Sequence, residues 1–137
     1  MTTAYMLDTN ICSYIMRKQP GMLLEKLQQH ADQRDSILIS AITYAEMRFG
    51  AVRKKVSPKH QVIVDEFVER IDEVVPFDKS AVDRSAGIRK FLSDRGMQIG
   101  INDTMIAGHA LAAECTLVTN NLREFERVPE LSVENWV

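Results

Sequence analysis

Three carboxylates far apart in the sequence stand where an α/β chain places functional groups. The stretch AYMLDTNIC, residues 4–12, sets Asp8 directly after an apolar run and at the head of a helical pattern. One reading of Asp8 is a helix N-cap accepting from the N–H of Asn10 or Ile11. The other depends on its company. Glu46 falls in the second turn of the helix expected after the second strand, and Asp103 begins the helix leading into the fourth. Asn120 and Asn121 follow that fourth strand. In open parallel sheets the ligand crevice lies outside the carboxyl ends of the strands, so these groups can meet on one rim. Like charges held together raise one another's pKa, and such a cluster usually implies a bound cation. All the candidate donors are oxygens, which suits Mg²⁺ or Mn²⁺ and argues against zinc.

The elements that must position them follow from the apolar pattern, which alternates between short β-type runs and longer helical ones. Tyr5 to Leu7 reads as a first strand, followed by a helix from about Thr9 and a second over roughly Met22 to Ala31. Ser36 to Ser40 is a compact strand. AITYAEMRFGAVRK then turns helical, with Ile42, Ala45, Phe49 and Val52 expected on the buried face and Met47 to its side. Pro58 restarts a helix with Val62, Ile63, Phe67 and Ile71 at helical spacing.

Glu73 to Phe77 fits a third strand near an edge, because a central strand would not readily tolerate Pro76. A long helix over about Lys79 to Arg95 has Ala81, Val82, Ile88, Phe91 and Leu92 as its expected buried positions, and Gly96 stops it. Asn102 or Asp103 is expected to cap the next helix, which runs through Glu114. Thr116 to Thr119 reads as a fourth strand, Leu122 to Phe125 as a helical turn, and Leu131 to Val133 as a last strand. Connections through helices favour parallel neighbours, so the expected architecture is an α/β/α sandwich with a mostly parallel twisted sheet, a single domain over 1–137.

Composition narrows the function classes. The chain has 137 residues, 45% hydrophobic and 26% charged, with a formal net charge of −2. That balance excludes a histone-like polycation and confines any polyanion site to a local patch. Cys12 and Cys115 sit in apolar contexts that read as buried thiols rather than a disulfide or a zinc site. The first residues, MTTAYMLD, lack the basic start and apolar stretch of a secretion signal. No apolar run is long enough to span a bilayer, so a soluble cytoplasmic protein is expected.

Taken together, MLDTNICSYI, ISAITYAEMRFGA, IGINDTMIAGHALAAE and LVTNNLREFERVPELSVENW, in that order and spacing, resemble the PIN-domain ribonucleases. The similarity is greatest to the VapC-type toxins of bacterial toxin–antitoxin pairs, and it covers essentially the whole chain. It implies a PIN-like fold and metal-dependent endonucleolytic cleavage of RNA, with Asp8, Glu46 and Asp103 in the positions of the family's metal-binding acids. Asn121 falls where many relatives carry a fourth acid or an asparagine. The resemblance further implies a homodimer, a VapB-type antitoxin whose C-terminal segment covers the active-site groove, and a structured RNA substrate. Among such RNAs the family favours a tRNA, the initiator included, cut in its anticodon loop.

Within that frame Asp8 and Asp103 are the expected ligands of Mg²⁺ or Mn²⁺, and Glu46 a ligand or the group that orients the attacking water. Thr9, Asn10, Thr119 and Asn120 are candidates for fixing the carboxylates and bound waters. Arg48, Arg53, Lys54 and Lys55 are candidates for gripping the RNA backbone, although a solvated helix end explains them as well. His109 reads as a packed or partly exposed histidine rather than a general base. The small residues Ala107, Gly108, Ala110, Ala112 and Ala113 are expected to let their helix pack closely on the sheet. The antitoxin is expected to pack around Ile11, Ile15, Met47 and Phe49. Two other classes stay open: a catalytically inactive PIN-like binding module, and an aspartyl-phosphate phosphatase-like hydrolase, which would need an acid where Asn10 stands.

Overall fold

The computed structural model describes residues 3–53 and 58–137. Among these the chain forms, in order, β1 (Ala4–Leu7), α1 (Thr9–Met16), α2 (Gly21–Asp32), β2 (Ser36–Ser40), α3 (Ala41–Arg53) and α4 (Lys59–Arg70). β3 (Glu73–Val75), α5 (Lys79–Asp94), α6 (Ile101–Ala112), β4 (Thr116–Val118), α7 (Leu122–Phe125) and β5 (Val133–Glu134) complete it. The strands order β3-β2-β1-β4-β5, and every neighbouring pair is parallel. β3 is an edge strand, which is why Pro76 is tolerated immediately after it. The chain steps outward from β1 to β3 and then returns to the other side of β1 for β4, so the winding reverses between β1 and β4. At such a reversal the loops leaving the two strands diverge and open a crevice.

Two-residue periodicity along the strands builds two layers. Tyr5, Leu7, Ile37, Ile39 and Val118 pack with Ile11, Leu23, Val64 and Phe67 from α1, α2 and α4. Met6 and Leu117 face the other way, onto Ile88 and Leu92 of α5, Ile106, Ala107 and Ala110 of α6, and Phe125 of α7. Helices therefore cover both faces of the sheet, as the alternating pattern predicts. Cys12 and Cys115 are buried free thiols. Among the described residues no helix is long and apolar enough to cross a membrane.

The main departure from the sequence reading is α3. Its buried positions are Thr43 and Met47, whereas Phe49 and Val52 are 61% and 62% exposed. Ile42 at its start packs in the α5–α6 layer, but Met47 and Ala51 pack in the α1–α2–α4 layer. The helix thus passes from one layer to the other, and no single apolar stripe describes it. A reading that scored only apolar residues also missed Thr43, which is buried with its hydroxyl 3.4 Å from that of Thr9. On α4 the buried positions are Val64 and Phe67, while Val62 is exposed. On α5, Ser85 is buried where Val82 was expected, because its hydroxyl donates to the Ala81 carbonyl at 2.7 Å.

Helix boundaries show the same physics. Asp78 caps α5 by accepting from the Ala81 N–H at 3.0 Å, and Gly96 at φ 63° ends the segment in a left-handed turn. α6 starts at Ile101 with Gly100 as its N-cap, so neither Asn102 nor Asp103 caps it and Asp103 lies inside its first turn. Of the small residues on α6, Ala107 and Ala110 do meet the sheet layer. Gly108 instead serves the contact with α5, where an added Cβ would lie 2.2 Å from Ser85 Oγ and 2.7 Å and 2.8 Å from Ser85 backbone atoms.

That close approach makes Gly108→Ala a stringent test of the helix pair. The clash involves backbone, so rotating Ser85 cannot relieve it. Overpacking of this kind costs about 1–3 kcal/mol. The variant should melt several degrees below the parent in thermal denaturation, and Ser85→Gly should not restore it.

Candidate active site

Asp8 directly follows β1 and is the N-cap of α1, a residue only 4% exposed. Its Oδ1 accepts from the Thr9 N–H at 2.8 Å, one residue earlier in the helix than a cap onto Asn10 or Ile11 would be. Its Oδ2 accepts from the Thr119 hydroxyl at 2.8 Å. Thr119 follows β4, and its Oγ1 in turn accepts from the Asn121 N–H at 2.9 Å. The two strand ends at the reversal point are thus joined by one carboxylate. Burial raises the Asp8 pKa, the Thr119 and Thr9 hydrogen bonds pull it back, and the charges of Glu46 and Glu124 raise it again.

Glu46 reaches the same place from α3. The Thr9 hydroxyl donates to Glu46 Oε1 at 2.7 Å, so Thr9 touches one acid through its side chain and another through its backbone. Asp103 arrives from α6 and shares a hydrogen bond with Glu124 of α7. Burial first, then that hydrogen bond and the charges of Asp8, Glu124 and Glu46, lift Asp103 from 3.8 to about 7. Asn121 donates from its side-chain amide to Glu124 Oε2 at 3.0 Å.

The site therefore contains a fourth acid that the sequence reading did not name. Asn121, which was expected at that position, supports Glu124 instead of replacing it. Glu124 lies one short turn beyond the asparagine pair, on the four-residue α7, and a reading that stopped at the end of the strand looked a turn too early. Its signal was present in NNLREF as an acid in the first turn of a predicted helical segment.

Of the other candidates, Thr9 and Thr119 are drawn to the acids by the hydrogen bonds above. Asn120 donates to the Tyr14 hydroxyl at 3.0 Å and keeps its Oδ1 buried without a partner. Asn10 is exposed on the surface of α1. Arg48 is tied down at the surface: its guanidinium bonds to the Tyr44 hydroxyl at 2.9 Å, to Gln61 Oε1 at 2.9 Å and to Asp65. Its charge is matched by Asp65, so it joins α3 to α4 rather than offering an unpaired cation. Lys54 and Lys55 lie outside the described residues, as does the side chain of Arg53. Ile11 is fully buried and Met47 only 5% exposed, so neither offers the docking surface expected of them.

None of the ion pairs among the described residues involves Asp8, Glu46, Asp103 or Glu124. Among the described residues their negative charge is unpaired with lysine or arginine and only partly answered by hydroxyls and amides. The donor set is all oxygen, which is the chemistry of a hard divalent cation. As they stand, no three His, Cys, Asp or Glu side chains among the described residues are gathered to hold one ion. Glu46 is turned to Thr9, and Glu124 to Asp103 and Asn121.

Known proteins match this chain over nearly its full length. Residues 5–131 match the PIN domain. The sequence is 40% identical over 132 residues to Ribonuclease VapC2 of Rickettsia felis, covering 96% of this chain and 97% of that protein. It is 36% identical, again over 96% of this chain and 97% of the other, to the tRNA(fMet)-specific endonuclease VapC of Shigella flexneri. The crystal structure of VapBC2 from Rickettsia felis, bound to a DNA fragment from their promoter, contains a chain that superposes with a TM-score of 0.92. That chain is 38% identical, and the superposition covers 98% of this chain and 100% of that one.

The raised Asp103 pKa has a definite sign in stability. The folded protein holds a proton that the unfolded chain releases near 3.8, so this contribution is fully present below that pH and is lost as the pH rises through about 7. With divalent ions removed by EDTA, the urea midpoint should fall between pH 5 and pH 8. Asp103→Asn, which cannot ionise, should flatten that dependence, and an unchanged slope in this variant would remove Asp103 as its source.

Proposed function

The chain belongs to the PIN domain family and, within it, to the VapC ribonucleases, and from that membership we propose that it is a divalent-cation-dependent endoribonuclease toxin cutting a tRNA in its anticodon loop. The observation that carries this reading is the meeting of four carboxylates at the sheet reversal, none of them in an ion pair with a lysine or arginine among the described residues. A repulsive cluster of this kind is tolerated where a cation and a phosphodiester complete it. The initiator tRNA is the favoured substrate, because a relative of this likeness is named for it. Membership in these ribonucleases sets aside the phosphatase-like alternative, which also lacks an acid at position 10.

When bound, Mg²⁺ or Mn²⁺ supplies positive charge for a phosphate oxygen and lowers the pKa of a water toward neutrality. Asp8 and Asp103 are the carboxylates to hold it, with Glu124 beside Asp103 and Glu46 as a further ligand or the group orienting the attacking water. Thr119 and Thr9 keep the Asp8 carboxylate in one orientation by donating to different oxygens. Thr9 also sets Glu46 relative to Asp8 through the second bond it makes.

The cognate VapB-type antitoxin is proposed to dock on the α1–α2–α4 side, in a groove of about 920 Å³. Ile15, Leu24, Leu27 and Ile63 give it apolar walls, and Lys18 and Arg70 are among the charged residues on its lining. Such a groove fits the apolar face of an amphipathic helix. Of the positions expected from sequence, Ile15 lines this groove. Two copies of the chain are further proposed to associate as a homodimer, which light scattering at micromolar concentration measures directly.

Asp8→Asn, Glu46→Gln, Asp103→Asn and Glu124→Gln should each lower RNA cleavage by at least about 100-fold, as the loss of a metal ligand or its immediate support does. Without metal, each should melt at the same temperature as the parent or above it, since a repelling charge is gone. Sequencing of RNA ends after brief expression should place the cuts in the anticodon loop of initiator tRNA, and cuts spread through messenger RNA would overturn the substrate. Leu24→Glu should leave cleavage intact but abolish rescue by the antitoxin. Normal rescue would place the antitoxin elsewhere.

A further inference from the structure

His109 is only 1% exposed, yet the acid chemistry above makes no use of it. It lies on α6 beyond Asp103, and its Nδ1 is 2.7 Å from the Oγ of Ser40, the last residue of β2. The Pro76 carbonyl hydrogen-bonds the ring from beyond β3, and Phe77 meets it edge-on at 5.3 Å. A carbonyl only accepts, so the ring nitrogen facing Pro76, Nε2, carries the hydrogen. A neutral imidazole has one N–H, so Nδ1 is bare and the Ser40 hydroxyl must donate to it. Ser40 Oγ in turn accepts from the Ile42 N–H at 3.0 Å and so caps the start of α3.

The result is one directed chain: the Ile42 N–H to Ser40, Ser40 to His109, His109 to Pro76. It joins the first turn of α3, the end of β2, α6 and the segment after β3. Ser40 itself is fully buried, so neither member of the pair can reach a substrate and a nucleophile–base role is excluded. What the chain does fix is the placement of two helices. α3 carries Glu46 and α6 carries Asp103, and the pair lies where the two helices meet the rim of the sheet. α3 changes layers along its length, and its start is held by the Ser40 cap and by buried Thr43.

We propose that Ser40 and His109 are positioning residues of the acid site, holding α3 against α6 so that Glu46 and Asp103 face the same crevice. The inference rests on the metal-dependent reading of that site. Outer partners that orient ligands commonly change metal affinity by about 10–100-fold when removed. The pair is tested by two near-isosteres of the ring. In His109→Asn the amide oxygen takes the place of Nδ1 and can still accept from Ser40. In His109→Gln the terminal amide reaches the place of Nε2 and can serve Pro76, but Ser40 loses its acceptor.

The measurement is the Mg²⁺ concentration giving half of the maximal rise in melting temperature, read together with kcat and KM for RNA cleavage. His109→Gln and Ser40→Ala should raise that concentration about tenfold and lower kcat with little change in KM, whereas His109→Asn stays within about twofold of the parent. Ile88→Val, a core change away from the pair, controls for stability: it should lower the melting temperature and leave the Mg²⁺ midpoint unchanged. If His109→Gln does not fold, Ser40→Ala decides alone. Equal midpoints in Ser40→Ala, His109→Gln and parent overturn this inference while leaving the metal reading standing. The same holds for a shift that follows the melting temperature in every variant, the control included. A parent that shows no rise with either Mg²⁺ or Mn²⁺ overturns both.

Discussion

Repulsion among four carboxylates at the reversal of the sheet is the constraint on which the rest of the structure depends. Two unit charges about 4 Å apart at an effective dielectric near 20 repel by about 4 kcal/mol. Partial burial adds to that cost, as the upward displacement of Asp8 and Asp103 records. The fold meets it with short, directed hydrogen bonds from Thr119, Thr9 and Asn121, and with the hydrogen bond between Asp103 and Glu124. None of these donors is cationic. A lysine or arginine at the same place would neutralise the cluster permanently and close it to a metal ion, so neutral donors keep the acids in place without satisfying them.

The topology explains why these residues meet. A parallel sheet sends every strand's carboxyl end to one rim, and the reversal between β1 and β4 leaves the loops after Leu7 and Val118 free to diverge. Asp8 and Thr119 occupy those two loops and are bonded across the gap. Glu46, Asp103 and Glu124 come from helices, so their positions depend on how α3, α6 and α7 are set against the sheet. Gly108 against Ser85 fixes α6 on α5, and Ser40 with His109 fixes it at the start of α3. Packing far from the acids thus sets distances among them.

Much of this was legible in the sequence because strands and their exits are local features. The apolar run ending at Leu7, with a polar residue directly after, placed Asp8 at the exit of the first strand, and the fourth strand was read one residue long, through Thr119, which lies just beyond β4. A packed His109 was one of two readings drawn from the small apolar residues around it. What failed depended on tertiary placement. The face of α3 was misread because the helix changes layers, and Val82 was preferred to Ser85 because a hydrogen-bonded serine carries no apolar signal. Glu124 was missed because α7 is too short for periodicity to give it a face. Arg48 looked like a free surface cation because its partner Asp65 belongs to another helix. Likewise the stacking of His30 on the Trp136 ring, at 4.4 Å and 5°, joins α2 to the C-terminal tail and has no local trace.

The four acids also differ in which layer holds them. Asp8 leads into α1, in the layer with α2 and α4, whereas Asp103 and Glu124 come from α6 and α7 on the opposite face. Glu46 sits on the helix that passes between the layers. A cation shared by such a set ties together elements otherwise joined mainly through the sheet, so its binding free energy adds to the stability of the whole fold. The reverse also holds. Any slip of one layer against the other moves ligands apart, and hard cations with strict coordination are sensitive to displacements well below one helical turn. A short sheet with two- and three-residue edge strands resists such slip weakly by itself. Directed bonds between elements, Thr119 to Asp8 at the crevice and Ser40 to His109 at the head of α3, therefore carry a share of site geometry out of proportion to their number.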